Sequence, residues 1–248
     1  MPIKISIITP CFNAVKFIER AIDSVINQQD SNFEHIIIDG GSTDGTLDIL
    51  KKYSHLKVLS EPDRGQSDAM NKGFALSSGE IVAYLNADDY YHEGTFTEIR
   101  TAFLNGDPDI VVGDLLIIQN GKERISHSEW RYKKLIHPNY FGFPYNPVSY
   151  FYKRVIQEYV GLFPVNEGFV VDYWFIIRAF HKAKVKKINR ILGSFLIHED
   201  CKTYSVFDSN ALLNKTIAKF NSEQQVWHRI KYTLDEMIYK VLRLLRRI

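Results

Sequence analysis

Four short apolar runs, each followed by a stretch of helical periodicity, constrain this chain more than any other feature. The runs are Ile3 to Thr9, His35 to Ile38, Leu56 to Leu59 and Ile81 to Leu85. Between the first two, Phe17, Ile18, Ala21, Ile22, Val25 and Ile26 fall on one face of a helix spanning Val15 to Ile26. A second helix is predicted from near Asp44 to Tyr53 with Ser42 or Thr43 as its N-cap, and a third from Ser67 to Ser77. Strands that are apolar on both faces and alternate with helices belong to a mostly parallel sheet covered on both sides. Sheets of that kind bind ligands outside the carboxyl ends of their strands.

After about Gly106 the pattern changes. Ile110 to Ile118 and Arg124 to Ser126, split by Asn120-Gly121, read as an antiparallel hairpin. Pro138, Pro144, Pro147 and Pro164 mark loops, a helix from about Asp172 to His181 follows, and a strand runs from Val185 to Ile197. From Ser209 onward the pattern is helical. The composition, 45% hydrophobic and 24% charged over 248 residues, excludes a mainly disordered chain or a coiled coil. Cys11 and Cys201 make neither a disulfide framework nor a CxxC pair, so free thiols in a reducing compartment are expected. No basic segment leads into an apolar stretch at the N-terminus, and no run reaches the roughly 20 apolar residues of a membrane span. A cytoplasmic location is the expectation.

Charge is unevenly placed. Residues 211–248 hold eight Lys/Arg against three Asp/Glu, whereas the rest of the chain is slightly acidic. An acidic body argues against nucleic acid as a partner. Within the tail, Val226, Ile230, Leu234, Ile238, Val241, Leu242, Leu245 and Ile248 recur at helical spacing, with Lys240, Arg243, Arg246 and Arg247 over much of the other face. Such a helix lies on an anionic membrane surface or docks on the core.

The strand ends carry the chemistry. They present Asn13, Asp39, Asp63, Asp68, Asn86, Asp88 and Asp89 toward one crevice. Each has a plainer reading: Asp39-Gly40-Gly41 as a tight turn, Asp44 as a helix-start acid, Asp88-Asp89 as a solvated pair. Turn chemistry does not require them to arrive together, whereas crowded carboxylates call for a cation. Asp oxygens suit Mg2+ or Mn2+ bridging to substrate phosphates.

The segments SIITPCFN, IIIDGGSTDGT, SEPDRGQSDAMNKG and YLNADD, in that order and spacing, resemble the family 2 glycosyltransferases of the GT-A fold. The DGGS and EPDxGQSDAxNKG forms are similar to enzymes of bacterial exopolysaccharide, O-antigen and capsule assembly. The resemblance covers residues 3–205 and implies an α/β, Rossmann-like, mostly parallel sheet flanked by helices. Residues 1–106 would form the nucleotide-sugar half, 107–205 the acceptor half and 206–248 a C-terminal helical extension.

It further implies a UDP-, GDP- or dTDP-sugar donor, a divalent cofactor (Mn2+ or Mg2+), inversion at the anomeric carbon and a saccharide or lipid-linked saccharide acceptor. Carried over by position, Thr9 and Pro10 lie beside the base, Asp39 holds base or ribose, and Asp68 sits in the stretch closing over the nucleotide. Asn86 stands where the family often has Asp and would bond a ribose hydroxyl. Asp88 is then the first metal ligand and Asp89 the second choice. Asp172 in FVVDYWFIIRAF is the general-base position, although an N-cap Asp reads the same; its neighbour, often acidic, is Val171 here. His198 would contact metal or diphosphate, or be structural, and Lys202 would neutralise phosphate. Arg64 and Lys72 face phosphate or solvent; Asp114 touches the donor sugar or is a strand-edge polar residue. The QxxRW motif of processive relatives is absent, which implies one sugar per encounter.

A nucleotidyltransferase would show a Gly/Arg/Lys-rich phosphate loop on the first strand, which TPCFN is not, and neither GxGxxG nor Walker A occurs. The rival outside enzymology is a non-catalytic nucleotide-sugar or partner-binding module.

Overall fold

The computed structural model describes residues 3–131, 135, 146–165, 171–201 and 213–224. The first half alternates β1 (Ile5–Cys11), α1 (Ile18–Ile26), β2 (Phe33–Asp39), α2 (Thr46–Leu50), β3 (Leu56–Ser60), α3 (Gln66–Leu76) and β4 (Ile81–Tyr84). There follow β5 (Tyr90–Tyr91), α4 (Thr95–Leu104), β6 (Ile110–Gln119), β7 (Lys122–Ser126) and a 3₁₀ turn at Pro147–Ser149. The remaining elements are β8 (Tyr150–Lys153), α5 (Arg154–Val160), α6 (Val171–Lys182) and β9 (Val185–Ile197), then a helix, α7, over 213–224.

Among the described residues nine strands form one sheet in the order β3-β2-β1-β4-β8-β6-β9-β5, with β7 paired to β6. Strands β1 to β4 pair in parallel, as do β6 and β9, whereas β8 runs antiparallel between β4 and β6. Every residue of β1 is buried, because both faces of the sheet are covered. Ile5 and Ile7 pack with α1 and α4 through Ala21, Val25, Phe96 and Ile99. Ile8 meets α3 and α6 through Ala69, Met70 and Phe175 on the other face. Helix α7 joins that second layer through Phe220, and Arg178 of α6 pairs with Glu223 at 2.5 Å.

The glycine of the NKG segment has a packing reason. A Cβ at Gly73 would meet Ile8 Cγ2 at 2.2 Å, so α3 approaches β1 this closely only with glycine there. Asn120 and Gly121 both have positive φ, 51° and 72°, which suits the two-residue turn joining β6 to β7.

Some expectations shift. The α2 segment is shorter than predicted and neither Ser42 nor Thr43 caps it: Gly45, at φ 99°, precedes its first residue. Helix α4 and strand β8 go beyond the pattern read from sequence. Cys11 and Cys201 are buried free thiols. No helix among the described residues is long and apolar enough to cross a membrane. Lys202 and the basic segment 226–248 lie outside the described residues.

One buried histidine sets a pH dependence. His35 of β2 is fully enclosed, with Nε2 2.9 Å from Thr9 Oγ1 and Nδ1 without a partner among the described residues. Burial first, then the neighbouring His55, push its pKa down to about 3. An unfolded imidazole takes its proton near 6.5, so below that pH the unfolded chain binds the extra proton. Stability from this site is full above about pH 6.5 and falls by up to roughly 1.4 kcal/mol per unit as pH drops toward the folded value. Urea midpoints from pH 7.5 to 5 should fall in the wild type and fall less in His35→Gln; equal slopes would refute the assignment.

Candidate active site

The strand order reverses between β1 and β4, the place where sheets of this kind bind ligands. Pairing of β1 with β4 stops at Ile8 and Tyr84, while pairing with β2 continues to Cys11 and Asp39. Pro10 stands beyond the end of β4 on the side where Ile8 O accepts from Leu85 N, so its missing N–H costs no ladder bond. The loops after β1 and β2 are stitched together. Asn13 N donates to Ser42 Oγ at 2.7 Å and Thr43 N to Asn13 Oδ1 at 2.9 Å. Val15 N donates to Asp44 Oδ2 at 3.0 Å and Ala14 N to Thr46 Oγ1 at 2.8 Å. Asn13 and Asp44 therefore hold the loops in place.

Asp39 closes the end of β2 from inside. It is fully buried, and Oδ2 accepts from Ser60 Oγ at 2.7 Å and from Gly41 N and Ser42 N, each at 3.1 Å. Burial alone would raise its pKa, but the bonds from Ser42, Ser60 and Gly41 outweigh it and hold the carboxyl below the usual range. Thr9 is equally buried, with its hydroxyl on His35. Phe12, in the loop after β1, is 63% exposed. An aromatic ring left open to water at a strand's carboxyl end is a platform for a planar ring. The sequence signal for it was an aromatic residue in a polar strand end.

The segment after β3 pairs its own charges. Arg64 Nη2 lies 3.0 Å from Asp68 Oδ1, and Lys72 Nζ lies 2.7 Å from Glu61 and 3.7 Å from Asp68. The Arg64 bond leads the effects that keep the Asp68 carboxyl low. Asp63 Oδ1 accepts from Gly65 N at 2.7 Å, fixing the turn into α3.

After β4 the three acidic-motif positions separate. Asp88 keeps a partly exposed carboxylate, and His198 Nε2 reaches across from the end of β9 to within 3.1 Å of its Oδ2. The His198 ring lies against Phe17, centroids 4.4 Å apart, and Nδ1 is buried without a partner among the described residues. Arg20 binds the Asp88 carbonyl at 3.0 Å from behind. Asp89, by contrast, is fully buried. Its Oδ2 accepts from Asn86 Nδ2 at 2.9 Å and Asn146 Nδ2 at 2.6 Å, and its Oδ1 from Leu196 N at 3.0 Å. Burial, then the Asp88 charge, drive its pKa well above the usual carboxylate range against the pull of those donors. Asn86 Oδ1 takes Gln66 Nε2 at 3.0 Å, tying the motif to the start of α3.

Among the described residues no three acidic, His or Cys side chains gather as a complete metal cage. The pair Asp88 Oδ2 and His198 Nε2 nevertheless fits two ligand positions, since their 3.1 Å separation is close to the edge of about 2.9 Å expected for octahedral bonds of about 2.0–2.1 Å. Cations of this kind take few protein ligands and fill the rest with phosphate oxygens and water.

Asp172 sits in the first turn of α6, and Tyr150 Oη donates to its Oδ1 at 3.4 Å. Tyr150 is fully buried and stacks on Phe175; burial, then Asp172, raise its pKa far above the usual phenol value. The β4–β8 register places Tyr152 beside Val82, so Tyr150 stands level with Tyr84 at the carboxyl edge. The bond from Tyr150 ties Asp172 to β8 at that level. Asp114 is turned inward, paired with Lys187 and with His127 at 3.0 Å.

A family model described as Glycosyl transferase family 2 matches residues 6–166. An uncharacterized glycosyltransferase of Nostoc sp. is 28% identical over 209 residues, 79% of this chain and 65% of the relative. A PGL/p-HBAD biosynthesis glycosyltransferase of Mycobacterium tuberculosis is 29% identical over 224 residues, 86% of this chain and 82% of the relative. Staphylococcus aureus TarS 1–349 in complex with UDP-GlcNAc superposes with a TM-score of 0.70 at 20% identity, covering 87% of this chain and 65% of that one. The mannosyltransferase PcManGT of Pyrobaculum calidifontis, in complex with GDP-Man and Mn2+, gives 0.66 at 18%, covering 90% and 65%. At those identities the likeness carries the fold. The chain spans just under two thirds of the Nostoc relative and of both solved neighbours.

Proposed function

Because this chain belongs to glycosyl transferase family 2, we propose that it moves a single sugar from a nucleoside-diphosphate donor to an acceptor hydroxyl, inverting the anomeric configuration with the help of a divalent cation. The observation that carries the reading is the Asp88–His198 pair at the carboxyl end of β4, beside the reversal in strand order. Residues 1–106 are assigned to the donor and 107–205 to the acceptor.

In this reading Phe12 stacks on the base, while Thr9, Pro10 and Asp39 shape the pocket floor beneath it. Asn86 and Asp68 border the ribose and diphosphate. Asp88 and His198 would hold the cation, and one imidazole among the donors favours Mn2+ over Mg2+. The cation, when bound, stabilises charge developing on the leaving diphosphate. Asp172 accepts the proton of the attacking hydroxyl, and Tyr150 steadies its carboxylate. Support for a nucleotide-sugar donor comes from the UDP-GlcNAc and GDP-Man held by the two solved neighbours. The acceptor assigned is a lipid-linked saccharide of surface-polysaccharide assembly. The basic segment 226–248 is assigned, on sequence alone, to the anionic membrane face.

The test is a thermal-shift series with UDP, GDP, TDP and CMP, each with Mn2+ and with chelator. Ligand at 100 times its Kd stabilises by about 2.7 kcal/mol. One nucleoside diphosphate should raise the melting temperature only with metal, and Asp88→Asn should remove the metal-dependent part. No shift with any nucleotide would favour the non-catalytic partner-binding module.

A further inference from the structure

We infer that Asp89 is a positioning residue, a buried clamp joining the donor and acceptor halves around the cation site, and not a ligand of the cation. The inference rests on the glycosyltransferase reading only for the name of the site; the clamp itself is built from contacts within the chain. Both Asp89 oxygens point into protein, and the residue is 0% exposed. A ligand to an exchangeable cation needs an oxygen open to the crevice, as Asp88 has, and Asp89 has none.

Its three donors come from three separate parts of the chain. Asn86 brings the start of the metal loop and, through Gln66, the first turn of α3. Asn146 lies 57 positions away and Leu196 lies 107 away. Asn146 is itself fixed, since its Oδ1 accepts from Val148 N at 2.8 Å and caps the 3₁₀ turn that delivers Tyr150 to Asp172. Leu196 stands two residues before His198, so the Asp89–Leu196 bond sets the height at which His198 meets Asp88. One carboxylate thus fixes the cation pair and the base relative to each other. Asn86 fits the same arrangement: its amide donates to Asp89, where an Asp would set a second carboxylate against it.

The experiment compares Asp89→Asn, Asn146→Ala and Asp88→Asn with wild type in three readouts. These are the melting temperature in chelator, the Mn2+ concentration for half-maximal nucleotide binding, and kcat and donor KM per nucleotide-binding site counted by titration. Asp89→Asn and Asn146→Ala should each melt several degrees lower in chelator. Asn146→Ala should lose at least tenfold in kcat with donor KM and Mn2+ half-saturation within about twofold of wild type. Asp88→Asn should keep its melting temperature in chelator and need at least tenfold more Mn2+. Should Asp89→Asn fail to fold, Asn146→Ala decides alone, because it leaves the carboxylate in place. The clamp is overturned by an Asp89→Asn protein that melts normally in chelator but needs more Mn2+, or by an Asn146→Ala protein with wild-type kcat. A wild type without metal-dependent nucleotide binding would sink the glycosyltransferase reading, while melting in chelator would still judge the clamp.

Discussion

Asp172→Asn is expected to lose about 10²–10⁴-fold in transfer while still binding nucleotide and metal as wild type does. The substitution keeps the shape of the side chain and removes its capacity to take a proton. The competing role for an acid in the first turn of α6 is electrostatic, and that is worth about 0.3–2 kcal/mol of stability at a half-buried helix start. The two roles therefore separate cleanly by experiment. A catalytic base loses turnover with an almost unchanged melting temperature, whereas a dipole acid loses stability and keeps its turnover. The Tyr150 bond favours the first, since a fully buried phenol is aimed at this carboxylate. The reading fails if the purified Asn variant transfers sugar within tenfold of wild type.

Glu34→Ala is expected to cost about 3 kcal/mol of folding stability at neutral pH. Glu34 lies at the amino edge of β2, far along the strand from the crevice, and its side chain is 5% exposed. Five donor contacts reach it: Ser6 Oγ at 2.6 Å, Lys57 Nζ at 2.6 Å, Lys4 Nζ at 2.9 Å, and Ser78 through N at 2.6 Å and Oγ at 3.0 Å. Burial alone would raise its pKa, but Lys57, Ser6 and Ser78 reverse that and hold it far below the carboxylate range. Alanine leaves the Ser78 amide and the Ser6 hydroxyl short of an acceptor, while the half-exposed Lys57 recovers water, which keeps the cost at the lower end for a broken buried pair. The pH sign follows from the lowered pKa: this stabilisation is present above about pH 4.5 and disappears as pH falls toward the folded value. Its window thus lies mostly below that of His35. Chemical denaturation at pH 7 measures the loss, and a change under 1 kcal/mol would contradict the network.

Much of the donor half was legible because its signals are local. Ile5 to Thr9 and Ile36 to Ile38 are continuous β-branched or small runs, and such runs become strands wherever both faces are covered. Strand β9 is legible over Val185–Ile197 as well, although Lys186, Lys187, Asn189 and Arg190 interrupt its apolar run and leave its first half only partly covered. Strand β8, YFYK, was not visible: four residues between a 3₁₀ turn and a helix carry too little periodicity to mark a strand, and only pairing to β4 and β6 makes it one. Helix α4 lacked a polar cap to announce it, because Gly94 opens it with positive φ.

The sequence by itself determined that polar and acidic residues would gather at the carboxyl ends of a parallel sheet, since strand runs and turn residues act over a few positions. It could not determine which carboxylates stay open. Asp88 and Asp89 are neighbours with the same side chain, yet one stays partly exposed beside His198 and the other is sealed by Asn146 and Leu196. Asp39, equally prominent in the motif, is consumed by Ser60 and its own turn. A carboxylate's availability depends on donors brought from distant parts of the chain, and only the tertiary structure supplies them.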